Sequence, residues 1–231
     1  MIKVEKIEPW GFEHAIRGMR NPMNSWDKSD SETCYTQWPD WPDCISCMWH
    51  KDDKCRKPGL TDYKVGPNDL GLMQKLYQAG PEHRKYLRQI FVSMDITAPL
   101  YWWKEFDTYK VGTVSNSCST MHKIAAKEFE LDDFSNDQLT EGSLAVLTAI
   151  INVFNIQRAL YLETKDKLYW WQMIQLLPSS YNQKRTITMN YENVISMIHQ
   201  RTGHKLDEWN NFVKVLEDLP YIKEITAEVC V

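Results

Sequence analysis

The chain is 231 residues long, 43% hydrophobic and 12% aromatic, with a net charge of -4 at pH 7. That length suits one domain with a sizeable core, and the mixed charge gives no general attraction for nucleic acid or an anionic membrane. No apolar run approaches the ~20 residues that span a bilayer, and the opening MIKVEKIEPW lacks a signal-peptide core, so the expected location is the cytoplasm.

Ile2, Val4 and Ile7 follow the rhythm of a strand, and Phe12, Ala15, Ile16 and Met19 continue at helical spacing. From Asn21 to Gly66 the periodicity lapses. Pro22, Pro39, Pro42 and Pro58, clustered Asp and Ser, and four Trp mark an ordered loop or small insertion within a single domain spanning 1–231. The insertion carries Cys34, Cys44, Cys47 and Cys55, with a CxxC at the middle pair and His50 nearby. Four thiolates suit a structural tetrahedral zinc with no position left open for substrate. The spacing is irregular, however, and free thiols in a reducing cytoplasm account for it more simply.

Asn68 and Asp69 are placed to cap a helix running through Leu72, Met73, Leu76 and Tyr77 to Gly80, and 82–88 reads as a further helical turn. Ile90, Val92, Met94 and Ile96 have the period of a strand with one buried face, after which Pro99 opens a helix bearing Tyr101, Trp102 and Phe106. The next stretch, Thr108 to Thr120, holds Gly112, Lys110, Asn116, Cys118 and five Ser or Thr hydroxyls from Thr113 onward. A loop of that chemistry could hold a phosphate or a heterocycle.

A long helix is expected from Asp137 or Thr140 through Leu144, Leu147, Ile151, Phe154 and Leu162, then another over 168–176. Thr186 to Met189 reads as a short strand, Asn190 as a helix N-cap, and Leu206 to Leu219 as the last helix before Pro220. Adjacent helix residues point in different directions, so one Trp of each pair, Trp102-Trp103 and Trp170-Trp171, is expected in the core or a subunit interface. The other could stack on a heterocycle.

His83, the strand, Ala98-Pro99 and the hydroxyl-rich run fall without a gap on the frame of the flavin-dependent thymidylate synthases, which the chain resembles. That family follows its helix with an Arg-His-Arg triplet, here Thr108, Tyr109 and Lys110. Its Ser-x-Asn-Glu-x-Ser-x-Arg-Tyr run is filled here by Thr113, Ser115, Asn116, Cys118, Thr120 and Met121. A second block, LLPSSYNQKRTITMNYENVISMIHQR, puts Leu177-Pro178, Asn190 and Arg201 in family positions. Glu192 and Ile174 fall where the family has Arg, and Glu105 where it has Gln. Together the blocks and their flanking helices cover roughly 68 to 219, a frame more specific than any short motif.

The resemblance implies an α/β fold (α+β in arrangement) of mixed sheet and helices, assembled as a homotetramer. It implies methylation of a deoxyuridylate-type pyrimidine nucleotide at C5, with FAD as cofactor and NADPH and methylenetetrahydrofolate as co-substrates. Carried over residue by residue, Cys118 and Tyr109 are the catalytic candidates. His83, Lys110 and Asn190 would contact the cofactor, and Glu105, Ser115, Asn116 and Arg201 the nucleotide. The replaced arginines leave a second reading open, a non-catalytic relative that binds a nucleotide or another partner. A third is an interaction protein that meets a macromolecule through 21–66, and copurifying flavin, bound metal and partner capture discriminate among the three.

Overall fold

The computed structural model describes residues 2–34 and 61–227. Strand β1 (Lys3–Trp10) leads into helix α1 (Phe12–Arg20), and a short ribbon pairs β2 (Glu32–Thr33) with β3 (Tyr63–Lys64) antiparallel. Helix α2 (Pro67–Gln78), a 3-10 turn at Lys85–Gln89, strand β4 (Phe91–Pro99) and helix α3 (Leu100–Phe106) follow. Strand β5 (Thr113–Ser117) and a single turn, α4 (Thr120–Lys123), precede the long helix α5 (Glu141–Thr164) and α6 (Lys167–Leu176). The chain closes with β6 (Asn182–Asn190), α7 (Tyr191–Arg201), α8 (Asp207–Glu217) and α9 (Ile222–Thr226). The main sheet is ordered β1-β4-β6-β5. Thr186 hydroxyl to Asp95 and Thr188 to Ser93 are side-chain pairs whose numbers run in opposite senses, as in antiparallel neighbours.

The expected elements form, with three differences. Asn68 and Asp69 do not cap α2; Gly66 is its N-cap and Pro67 opens it. The hydroxyl-rich stretch is partly strand, since the edge of the sheet accepts 113–117 despite their polarity. Trp102 and Trp103 are both buried, at 0% and 1% exposure, so the pair is not divided between core and surface. The four α-helical starts at Thr140, Asp166, Asn190 and Ser119 each have a side-chain oxygen accepting a backbone N–H of the first turn.

The chain divides into two compact units. One comprises 95–187 and 203–212 with the first residues of β1. Its helical core packs Phe129, Phe134, Leu147, Ile151, Phe154 and Met173, and a second cluster joins Trp102, Trp103, Phe106, Trp209 and Phe212. The other comprises the described residues of 6–94 with 188–202 and those from 213 onward. There Phe12 meets Tyr63, Tyr191 and Tyr221 as ring neighbours.

The same unit holds a buried ion pair. Arg20 Nε donates to Asp69 Oδ1 at 2.6 Å, and Asp69 Oδ2 accepts from the hydroxyls of Ser29 (2.7 Å) and Ser31 (2.6 Å). With the Asp69 side chain 0% exposed, every oxygen needs those donors.

Glu141–Thr164 is long and apolar enough to cross a membrane by length and composition, because scattered Asn, Thr and Gln interrupt the apolar run without making it hydrophilic. Only 17% of its most apolar window is buried.

Candidate functional site

The end of α3 and the strand after it build a cleft of about 390 Å³, lined by Phe106, Asp107, Tyr109, Lys110, Thr113 and Ser115. Its shape follows from how α3 stops. The Asp107 N–H still bonds Trp103 at 2.8 Å, the Tyr109 N–H bonds Phe106 at 3.0 Å, and the Thr108 hydroxyl donates back to the Glu105 carbonyl at 2.7 Å. Gly112, with φ +72, then reverses the chain into β5, a conformation that side chains rarely take. Tyr109, Lys110 and Ser115, three of the residues singled out from sequence, therefore share one wall.

Asn116 and Cys118 lie further along the same stretch, both exposed. The Cys118 N–H donates to the Lys184 carbonyl at 2.9 Å, and the Cys118 carbonyl accepts from Gln183 Nε2 at 3.0 Å. His122 is engaged by Ser119, whose hydroxyl lies 2.8 Å from Nδ1. Glu105 is turned to the aromatic cluster: its Oε2 accepts from Trp209 Nε1 at 2.9 Å and lies 3.4 Å from His204 Nε2. The His204 Nδ1 accepts from the Leu206 N–H, which leaves its proton on Nε2, facing Glu105. Trp209 packs against Phe106 and Tyr109, so the carboxylate fixes the floor beneath the cleft.

Arg185 is a residue that sequence reasoning missed. Its guanidinium lies 4.2 Å over the Trp103 ring, its Nε donates to Gln183 Oε1 at 2.9 Å and its Nη1 to Asp107 Oδ1 at 2.7 Å. The available signal was the Lys184-Arg185 pair inside a β-branched strand, where half-buried cations are out of place.

The remaining candidates belong to the other unit. His83 is exposed after the turn that closes α2, its N–H bonded to the Gly80 carbonyl at 3.0 Å. Asn190, 8% exposed, caps α7 by accepting the Asn193 N–H at 3.0 Å. Arg201 ends that helix, about 16 Å further along at 1.5 Å per residue. Glu192, in the first turn of α7, binds the guanidinium groups of both Arg84 and Arg88. The Arg88 hydrogen bond and charge hold its carboxyl below the usual range.

Cys34 is half-buried, its N–H bonded to the Asp62 carbonyl at 2.7 Å; Cys44, Cys47 and Cys55 lie outside the described residues. Among the described residues no cluster of three His, Cys, Asp or Glu could hold a metal.

No protein-family model matches the sequence, and a comparison with curated proteins gives no match. Solved structures do match. A flavin-dependent thymidylate synthase, ThyX from Helicobacter pylori, complexed with FAD and dUMP, is similar over 99% of this chain and 99% of that one, with TM-score 0.63 and 17% identity. The chain has the flavin-dependent thymidylate synthase fold. A second structure of that enzyme with FAD and dUMP aligns with TM-score 0.64 at 16% identity, over 99% of this chain and 98% of that one. A UMP/dUMP methylase, PolB from Streptomyces cacaoi, bound with 5-Br UMP, covers 94% of this chain and 87% of its own, with TM-score 0.55 and 12% identity. On the flavin-dependent thymidylate synthase fold, this chain carries Tyr109 and Lys110 in a cleft wall and a carboxylate, Glu192, between two arginines.

Proposed function

We propose that this protein binds a deoxyuridylate-type pyrimidine nucleotide and FAD and catalyses methylation, a one-carbon transfer, at C5 of the pyrimidine. The donor set of the cleft carries the reading: one ammonium, Lys110, with the hydroxyls of Thr113, Ser115 and Tyr109, suits a phosphate and the polar edge of a base, and Asp107 is the one carboxylate in the lining. Lys110 faces the nucleotide anion as a point charge, and Ser115 and Asn116 reach the polar edge of the base. Tyr109 holds or passes a proton at its phenol, and the exposed Cys118 thiol is the nucleophile for C6.

The donor chemistry also suits the cofactor. His83 is exposed beside Arg84 and Arg88, whose guanidiniums both bind Glu192, and a diphosphate would compete with that carboxylate for them. His83 and Asn190 would hold FAD there. When bound, FAD supplies the hydride that reduces the methylene brought by methylenetetrahydrofolate, after taking it from NADPH. A homotetramer would cover the exposed apolar side chains of α5 and α6, among them Val146, Ile156, Leu168 and Trp171.

The test is an absorbance spectrum of the purified protein, then titration with FAD and deoxyuridylate. Flavin bands that shift on adding nucleotide are expected; a colourless protein that leaves FAD unperturbed overturns the enzymatic reading. Glu192 favours a second reading, nucleotide binding without turnover, because its carboxylate occupies guanidiniums that a flavin diphosphate would need. Each charge-assisted contact so lost is worth about 1.5–3 kcal/mol. Binding of deoxyuridylate by a colourless protein is the outcome that selects it.

A further inference from the structure

Asp107 lines the same cleft as Lys110, and its carboxylate holds a guanidinium from the strand behind it. The Asp107 side chain is 50% exposed and the Arg185 side chain 13% exposed, so the acid stands between the cleft and the base. Arg185 is fixed from two other directions, by the Trp103 ring beneath it and by Gln183 at its Nε. Gln183 in turn donates to the Cys118 carbonyl at 3.0 Å and to the Thr120 hydroxyl at 3.2 Å, so the guanidinium is braced and cannot follow a departing partner. A planar fork held in this way is matched to a phosphate as well as to a carboxylate.

We infer that Arg185 is a phosphate-binding residue of the cleft and that Asp107 is its resident counter-ion, displaced when a nucleotide phosphate enters. The inference rests on the nucleotide-binding reading above and adds the residue that recognises the anion. Arg185 thereby supplies the guanidinium that Thr108 and Lys110 cannot, from a strand position outside the triplet. The exchange of one anion for another keeps the guanidinium paired in both states, so the partly buried charge is never left uncompensated. Asp107 raises the threshold for binding, because a ligand must be a better partner than a carboxylate already in place. Neutral nucleosides gain nothing from the exchange, and the cleft selects for a phosphate.

The test is calorimetric titration of the full-length protein, wild type and variants, with deoxyuridylate and with deoxyuridine. Asp107→Asn is expected to bind deoxyuridylate about tenfold more tightly, the competing charge having gone, with no change toward deoxyuridine. Arg185→Gln is expected to weaken deoxyuridylate binding about tenfold or more, and adding Asp107→Asn to it should restore nothing. Arg185→Lys, which keeps the charge and loses the fork, should fall between the two. If wild type binds deoxyuridylate but Asp107→Asn binds it equally or less tightly, Asp107 is a structural partner, the inference is overturned and the nucleotide reading stands. If wild type shows no binding of deoxyuridylate and Asp107→Asn shows none either, the nucleotide reading itself fails and takes the inference with it. Thermal melting of each variant identifies one that fails to fold; Arg185→Lys then carries the comparison, and its binding as tightly as wild type overturns the inference.

Discussion

Asp69 is the side chain on which the most local structure hangs. Burial is the largest influence on its carboxyl and pushes the pKa up, but hydrogen bonds from Ser31, Ser29 and Arg20, with the Arg20 charge, outweigh it and hold the group below its ordinary value of 3.8. A depressed folded pKa contributes stability that is fully present above the unfolded value and is lost as pH falls through the folded one. Urea midpoints should therefore be flat near neutrality on this account and decline in acid below about pH 4, with Asp69→Asn lacking that part of the decline. Asp69→Ala leaves Arg20 buried without its anion and should cost about 3–5 kcal/mol in urea unfolding. The same argument gives a small effect at Glu192, whose side chain is 22% exposed beside a half-exposed Arg88; Glu192→Gln should cost no more than about 1 kcal/mol.

At the scale of elements, joints decide more than propensities. Gly11 links β1 to α1 with φ +93, and a Cβ there would lie 2.2 Å from the Gln89 carbonyl oxygen. Gly11→Ala therefore meets both a disfavoured backbone and a fixed backbone atom, and thermal melting should detect a loss well above the ~1 kcal/mol of an ordinary glycine replacement. Strong periodicity made the helices legible: α5 is capped by Thr140, one of its two expected starts, and α7 by the expected Asn190. β5 was not legible, because TVSNS has no buried alternation and becomes a strand through its neighbour in the sheet. The cap of α2 was misassigned for a related reason: a polar residue near a helix start is indistinguishable in sequence from a buried one that an Arg 49 positions away has claimed.

At the scale of the whole molecule, α5 and α6 leave a large apolar surface for one chain. Val146 at 61%, Ile156 at 58% and Leu168 at 58% are too exposed to act in the core. If copies of the chain cover it, Ile156→Glu places a charge in that contact, and sedimentation should report a smaller species than wild type with the far-ultraviolet spectrum preserved.

The sequence by itself determined the periodic elements, the buried face of β4 and a resemblance whose frame returns as a fold shared over nearly the full length of known structures. Those features depend on spacing along one chain. It also placed Tyr109, Lys110 and Ser115 close enough in sequence to share a wall. Only the tertiary structure decided what the remaining charges do: Glu105 goes to Trp209, Glu192 to Arg84 and Arg88, and Arg185 comes from a separate strand to stand behind Asp107. A charge takes its role from the partner nearest in space, and those partners lie from 78 to 108 positions away along the chain.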